Sequence, residues 1–414
     1  MKTLHPLKKT RLVQPRFGSL FRCLGEACPE DCCSGWSVDV DKTTYDAYKR
    51  TQHAKLKAKF DSSVYRKQNE STNHSYGLIG KNDLNNSCCF LENRLCSVQK
   101  SLGSDKLSHT CFNFPRAYRR IGQEIERSFT LACPEVARLA LLDKHSYEFE
   151  ELEDTIRIAT VSSLNAEGQI NRSLANELRI FALSLLKGYA GPTWEKLAIL
   201  GVVCEAFSQA YRRGALSPDS GRSILLTVQS LIQQGKIGGE LSITAPQPKL
   251  QAEAFSLILK AVPIKAYSEL AQKRMNNALE GLQFDLSGVE NNVDTLAIRY
   301  QQGLARLALI LKNMPWFFDH YVISDLLWNA FPFNREDPYT SFIGVVTRFG
   351  LVRLLLAGSC MHDPDISQNE LAQVVQTFVR HYQHNRLFAN TVDGCLERSG
   401  WDALNKVFLF LRAD

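Results

Sequence analysis

The sequence predicts a mainly α protein in two parts: a small cysteine-rich α+β metal-binding module over residues 1–145, then an all-helical domain over residues 146–414. Three observations predict it. Nine of the twelve cysteines lie before residue 134. Strand and turn signals alternate through the same stretch. Beyond about residue 150 apolar residues recur at helical spacing, as in Leu174, Leu178, Phe181 and Leu185, and again in Leu371, Val374, Val375, Phe378 and Tyr382.

Composition bounds the rest. A chain of 414 residues has room for two or three domains, and 44% hydrophobic with 22% charged residues is ordinary for a globular protein. A net charge of +6 is too mild for this length to read as a nucleic-acid footprint, so no nucleic-acid partner is expected. The N-terminal MKTLHPLKKTRLVQPRFG is broken by Lys8, Lys9, Arg11 and Arg16 and lacks the apolar run of a secretion signal, which points to a cytoplasmic protein. The best membrane candidate, FIGVVTRFGLVRLLLAG, is cut by Arg348 and Arg353, so a transmembrane span is not expected, whereas peripheral attachment stays open.

The elements follow in order. Cys23, Cys28, Cys32 and Cys33 fall within eleven residues. Trp36 to Val40 alternates as a short strand, and Asp41 is placed to cap a helix through Tyr45 and Tyr48. Residues 61–87, rich in Ser and Asn, read as an exposed loop. CCFLENRLCSV reads as a hairpin turning at Glu92-Asn93-Arg94, which sets Cys88 or Cys89 beside Cys96. YRRIGQEIERSFTL, Tyr118 to Leu131, reads as a second hairpin turning near Gly122. Cys133-Pro134-Glu135 then opens a helix, with Pro at the first helical position and a thiol at the N-terminus, where the dipole lowers its pKa. Further on, Thr193 begins a helix through Ala206, and Gly188, Gly214 and Gly235 sit where helices end. The aromatic MPWFFDHYVISDLLWNAFPF, Met314 to Phe333, has Pro315 at its start and Pro332 at its stop. Between eight and eleven helices are expected after residue 146.

Thiols this dense in a reducing compartment indicate metal rather than disulfides, and the adjacent pairs Cys32-Cys33 and Cys88-Cys89 would be strained as bonds. Cys23, Cys28, Cys32, Cys33, Cys88, Cys96, Cys111 and Cys133 supply two four-thiolate sites, or one site with bystanders. Thiolates alone do not choose between iron-sulfur and zinc. The scarcity of nearby histidine, only His74 and His109, tilts toward iron-sulfur. A metal that merely folds the module, beside a helical docking domain and without catalysis, is the alternative. The radical-type C-x-x-x-C-x-x-C fails because its third position falls on Gly35. A Rossmann fingerprint, a P-loop, HExxH and G-x-S-x-G are absent.

Phe21-Arg22-Cys23-Leu24-Gly25, Cys28, and Cys32-Cys33-Ser34-Gly35-Trp36 resemble the opening of the flagellin lysine N-methylases, within the wider group with a CxxCxxCC-type cysteine cluster. The resemblance continues through Cys88-Cys89-Phe90-Leu91, Leu95-Cys96-Ser97, Thr110-Cys111, Phe114-Pro115-Arg116 and Cys133-Pro134-Glu135. One cysteine precedes Phe-Leu at an interval of one residue in the family pattern, which maps onto Cys88 and leaves Cys89 as an extra. The resemblance implies a cytoplasmic protein-lysine N-methyltransferase of the EC 2.1.1 type that uses S-adenosylmethionine to methylate surface lysines of flagellin. It also implies that the cysteines hold an iron-sulfur cluster of the 4Fe-4S type. Polar and radical methyl transfer both stay open.

Other candidates are fewer. Arg116 sits among Arg119, Arg120 and Arg127, a group that reads first as solvated hairpin charge and second as a partner for the donor carboxylate or the cluster. His381 and His384, three apart with Arg380, form a candidate acid or base on one helix face. Tyr321 and Trp316 are candidates to line a donor pocket, although an aromatic helix is more often core. Cys204, Cys360 and Cys395 read as buried.

Overall fold

A computed structural model describes residues 4–69, 71–82, 86–164, 171–237, 245–262, 268–286, 292–335, 337–383, 388, 391–392, 394 and 403–412. It is mainly helical, with strands confined to the first 163 residues.

The organising sheet has five strands in the order β10-β7-β8-β1-β9. They are β1 (Leu7–Pro15), β7 (Arg116–Ile121), β8 (Glu124–Phe129), β9 (Phe149–Arg157) and β10 (Val161–Ser163). β7 and β8 form the expected hairpin about Gly122, whose φ of 62° suits the turn. The expected switch to helix at residue 146 comes later, because β9 lies antiparallel along the whole of β1, from Leu7 opposite Arg157 to Pro15 opposite Phe149. Charged pairs such as Lys9 with Glu153 and Arg11 with Glu151 cover the exposed face of that pairing. A half-charged strand of this kind carries too weak an apolar period to be read locally.

The cysteine-bearing segments fold beside this sheet. β2 (Val38–Val40), β3 (Val64–Arg66) and β4 (Gly77–Ile79) make a small sheet in the order β2-β4-β3. Part of the expected 61–87 loop is therefore strand. Its Ser and Asn content hid two three-residue strands, and Gly77 is required because a Cβ there would meet the Tyr45 ring at 2.7 Å. α1 (Phe17–Leu20) follows β1, and α2 (Lys42–Arg50) follows β2, with Asp41 accepting from the Thr44 amide as expected. α3 (Lys57–Ser63) leads into β3. β5 (Leu91–Glu92) and β6 (Leu95–Cys96) form the predicted hairpin, Asn93 and Arg94 taking φ of 48° and 64°. α4 (Ser97–Leu102) and α5 (His109–Asn113) close the module over a small core of Val40, Phe60, Val64, Phe90 and Val98.

α6 (Pro134–Leu142) opens with Pro134 as predicted and joins this part to the helices. Ten helices follow among the described residues: α7 (Arg172–Gly188), α8 (Thr193–Arg212), α9 (Pro218–Gln233), α10 (Pro248–Ala261), α11 (Glu269–Gly281), α12 (Val293–Ile310), α13 (Phe317–Trp328), α14 (Pro338–His362), α15 (Gln368–Gln383) and α16 (Leu404–Leu411). The predicted stripes on α7 and α15 are buried. α14 is the axle of this body. By length and composition it is apolar enough to cross a membrane, yet 89% of its apolar window is buried inside the protein. Its charges are satisfied there: Arg348 makes two 2.7 Å bonds to Asp325, and Arg353 donates to the Tyr300 hydroxyl, Gln251 and the Phe410 carbonyl. Backbones approach closely where side chains are absent; a Cβ at Gly303 would lie 2.3 Å from the Ala357 carbonyl oxygen, and one at Gly358 2.1 Å from that of Ala278.

Candidate metal centre and adjoining cleft

The eight predicted thiols come from separate pieces of chain and meet around Cys32 and Cys33. Local structure delivers each one. Cys96 and Cys133 occupy the N-cap positions of α4 and α6, and Cys111 lies in the first turn of α5, behind its cap Ser108. Cys88 is brought in by its amide, which donates to the Cys33 carbonyl at 2.8 Å. Asp31 accepts from the Cys33 amide at 2.8 Å and sets the turn between the adjacent pair.

The electrostatics gather the thiols about the Cys32-Cys33 pair. Burial pushes the Cys133 thiol up to about 12, against the amides of Val136 and Glu135, with Cys28 and Cys32 adding to the rise. Cys28 is raised by burial and by its neighbours Cys23 and Cys32. Burial also lifts Cys111 to about 12 and Cys88 to about 11, with Cys96 raising both. Cys33 donates to Cys32, which holds Cys32 down at about 7 and Cys33 well up, and Cys88 and Cys111 push Cys33 the same way. Cys23, Cys28 and Cys133 thus lie near Cys32, Cys88 and Cys111 lie near Cys33, and Cys96 and Cys111 also feel Cys32. The expectation of a lowered Cys133 pKa is corrected: desolvation outweighs the helix terminus in the metal-free protein.

Several amides point at these sulfurs: Glu30 at Cys28, Phe90 at Cys88, Val98 and Gln99 at Cys96, and Glu135 and Val136 at Cys133. Donors so placed favour thiolate, the ligating form. Among the described residues no three of these sulfurs lie within 4.8 Å of one another. Cys89 turns aside, its amide bonded to the Gly80 carbonyl, so Cys88 is the member of the pair that enters the group. Cys204 and Cys360 are fully buried in the helical core, as expected. Cys395 falls outside the described residues.

The helical body grips this centre. Glu30, 5% exposed, takes ion pairs from Arg274 of α11 and Arg380 of α15. Arg380 also donates to the Ser34 carbonyl at 2.8 Å, and its charge helps lower Cys32. Sequence spacing on α15 singles out His381 and His384 as candidate acid or base. His384 falls outside the described residues, and it is Arg380 that reaches the cysteines.

A cleft of about 500 Å³ shares a wall with the thiols. Trp36 donates from Nε1 to the Cys32 carbonyl at 3.0 Å and lies 6.1 Å from the Phe114 ring; Trp36 and Phe114 both line the cleft. Trp328, at the end of α13, lines it too. Tyr321 does not line it: it is 1% exposed in the helical core, where burial raises its pKa well above the usual value. Trp316 bonds instead to the Leu141 carbonyl at 3.2 Å. The helix register decides this, since Trp328 emerges at the C-terminus while the middle of α13 is buried on every side.

Of the arginines expected on a solvated hairpin, Arg119 and Arg127 are instead tied to other elements, while Arg116 and Arg120 are partly exposed. Arg119 caps α13 through the Leu327 and Trp328 carbonyls and also bonds Ser128 at 2.9 Å. Arg127 is buried against Gln14 and Asp154. Arg116 lies over the Phe21 and Phe129 rings at 5.0 and 6.0 Å and lines the cleft. These side chains face elements that the sheet brings in from elsewhere, which hairpin alternation could not reveal.

A second group, His5, Asp41 and His109, brings three ligand-type atoms within 4.8 Å. It is a brace rather than a cation site. Asp41 already accepts from the amides of Thr44 and His109, and buried Arg157 puts Nη1 3.4 Å from His109 Nδ1, a charge that opposes any cation.

Comparison with known proteins gives these features a family. A profile described as the FliB lysine N-methylase C-terminal domain matches residues 179–410, more than half of the chain. The chain belongs to the FliB lysine N-methylase family. A lysine-N-methylase of Salmonella typhimurium (strain LT2) is 26% identical over 396 residues, which cover 92% of this chain and 93% of that protein. A lysine-N-methylase of Salmonella choleraesuis matches at the same identity and coverage. The flagellar biosynthetic protein FliU of Salmonella muenchen is 39% identical over 139 residues, 33% of this chain and 80% of FliU. No solved structure matches. The interval that defines the FliB family here is the helical body; it contains Arg274 and Arg380 but none of the eight thiols. The extended match to the lysine-N-methylases nevertheless runs through nearly the whole chain.

Proposed function

We propose that this protein is an S-adenosylmethionine-dependent protein-lysine N-methyltransferase that modifies surface lysines of flagellin in the cytoplasm, with an iron-sulfur cluster held by the module cysteines. The observation that carries the reading is the convergence of eight thiols on Cys32-Cys33, one wall away from a cleft large enough for a small-molecule ligand. Membership of the lysine N-methylase family supports the reaction type, and the flagellar name of FliU supports the substrate.

The donor set suits a metal centre. Every candidate ligand is a thiol, several receive amide hydrogen bonds, and the nearest buried carboxylate, Glu30, is committed to two arginines. The all-thiol donor set, with few histidines nearby, favours a cluster of the 4Fe-4S type over zinc. The eight thiols supply the four thiolates required. When bound, such a cluster supplies redox chemistry and an anionic neighbour, which Arg380 is placed to offset.

Transfer by the polar route balances simply. A lysine ammonium first gives up its proton; its nitrogen lone pair then forms the N–CH3 bond as the S–CH3 bond breaks, and the sulfonium leaves as a neutral thioether. Because lysine has an ordinary pKa of about 10.4, the protein must desolvate the amine or accept its proton.

Anaerobically purified protein, incubated with labelled methyl donor and flagellin, is expected to put label on lysine and to contain iron and acid-labile sulfide. Colourless protein with stoichiometric zinc, no iron and no transfer would replace the reading with a metal-stapled docking protein.

A further inference from the structure

We infer that the cleft between β7, α5 and the end of α13 is the methyl-donor site, and that it takes an adenosyl amino acid by its carboxylate and a flat heterocycle. The inference rests on the methyltransferase reading and gives it a location.

Two polar groups in the cleft wall have no partner to match them. Arg116 holds its guanidinium over two phenyl rings and has no carboxylate in ion-pair range among the described residues. Asn113 Oδ1 is buried without a hydrogen-bond partner among the described residues. A buried polar oxygen without a partner is unfavourable, and Arg116 beside it, partly exposed, carries an unpaired charge, so the wall suits a ligand that supplies both complements. Arg119 gives the internal contrast: three residues further along β7, it is fully used by two carbonyls and a hydroxyl. Burial lowers the Arg116 pKa, with Arg127 adding to the effect and Tyr118, Asp154 and Cys133 opposing it only in part.

The complements describe the ligand. A guanidinium calls for an anion, and the Asn113 oxygen for a donor, such as an α-ammonium or the amino group of a purine. The indoles Trp36 and Trp328 in the lining provide faces for a flat ring or a sulfonium. A volume of about 500 Å³ fits a nucleoside joined to an amino acid and is far larger than a lysine side chain needs. Arg116 would also repel a lysine ammonium. The cleft is therefore assigned to the donor, and the protein substrate approaches from outside it. A nucleotide phosphate is the other common anion for arginine, but one cation with a neutral amide matches a single carboxylate better than a polyphosphate.

The test is isothermal titration of the metal-loaded full-length protein with S-adenosylhomocysteine, its decarboxylated analogue and ATP. The unmodified protein is expected to bind S-adenosylhomocysteine at least about tenfold more tightly than either of the others, the ratio appropriate to one charge-assisted hydrogen bond. Arg116→Met should bring S-adenosylhomocysteine down to the level of the decarboxylated analogue and leave the analogue unchanged. Arg116→Lys should restore part of the difference, and Asn113→Leu should weaken both adenosyl ligands. Ser162→Trp, at the exposed mouth, should block all binding without touching Arg116. Metal content and circular dichroism equal to the unmodified protein qualify each variant. Undiminished S-adenosylhomocysteine binding in Arg116→Met and Ser162→Trp would overturn the cleft assignment and leave the methyltransferase reading standing. A preference for ATP would overturn it in favour of a nucleotide site. If the loaded, unmodified protein binds no adenosyl ligand, the donor dependence itself falls, and the assignment with it.

Discussion

The cysteine-bearing module and the helical body reach a buried interior with different materials. The module between β2 and α5 packs a modest set of side chains, among them Val40, Phe60 and Phe90, around thiols that burial makes reluctant to ionise. The body is built about α14, where Leu351, Leu355, Leu356 and Ala357 are fully buried and the two arginines, Arg348 and Arg353, are satisfied internally. One region has too little apolar volume to stand without a staple; the other has ample. The difference teaches where function can reside. A core closed by its own apolar side chains leaves no open valence, whereas the thiols of the module offer one to the proposed metal.

Metal removal is the strongest way to break this comparison. Chelation is expected to abolish amide-exchange protection through residues 88–111 and to leave the α14 segment, residues 338–362, protected, since a structural thiolate site is worth about 10 kcal/mol or more of folding free energy. Equal loss of protection in both regions would mean that they are one cooperative unit. Paired substitutions probe the same point: Cys33→Ser and Cys111→Ser should lose metal, whereas Cys204→Ser, in the helical core, should keep its full complement.

Phe342→Ala comes next. Phe342 is fully buried under Gly201 in the body, and its truncation should lower stability by about 3–5 kcal/mol in denaturant titration without changing metal content. Gly358→Ala should follow at about 1–3 kcal/mol by overpacking, because the added Cβ would lie 2.1 Å from the Ala278 carbonyl oxygen. A neutral result at Gly358 would show that α11 and α14 can slide apart at little expense.

The smallest effect concerns pH. Burial brings His320 down to about 4, only partly offset by its bond to the Ala140 carbonyl. The unfolded chain binds that proton near 6.5 and the folded chain only near 4, so stability is whole above about pH 6.5 and falls as pH drops through this window. The loss should be on the order of 2 kcal/mol. Chemical denaturation at about pH 7 and about pH 4.5 should show a smaller difference for His320→Gln than for the unmodified protein. Equal differences would assign the acid sensitivity to other groups.

Much of this is legible in the sequence where the cause is local. The turn at Asn93-Arg94 follows from hairpin chemistry, the start of α6 from Pro134, and the helix stripes from their period. Eight of the cysteines stand out as one pool because nine of the twelve lie before residue 134. What escapes are contacts between distant segments. β1 pairs with β9 across more than a hundred residues, and nothing in either strand names the other. Arg116, Arg119 and Arg127 read as solvated because a hairpin taken alone has two open faces; the sheet and α13 cover one of them. Trp328 gives no signal that sets it apart from Trp316, since both belong to one aromatic segment and only its exit point brings Trp328 to the cleft.

Taken by itself, the sequence determined the helical character of the second half and the local elements that carry each thiol, because residue type, period and capping act over a few positions. Tertiary structure alone decided that the other thiols gather about Cys32 and Cys33, that Glu30 is clasped by Arg274 and Arg380, and that Arg116 and Asn113 are left unmatched in one cleft. The reason is physical. Burial and electrostatic partnership depend on which surfaces meet, and segments separated by hundreds of residues meet only when their apolar faces and hydrogen-bonding groups are satisfied together.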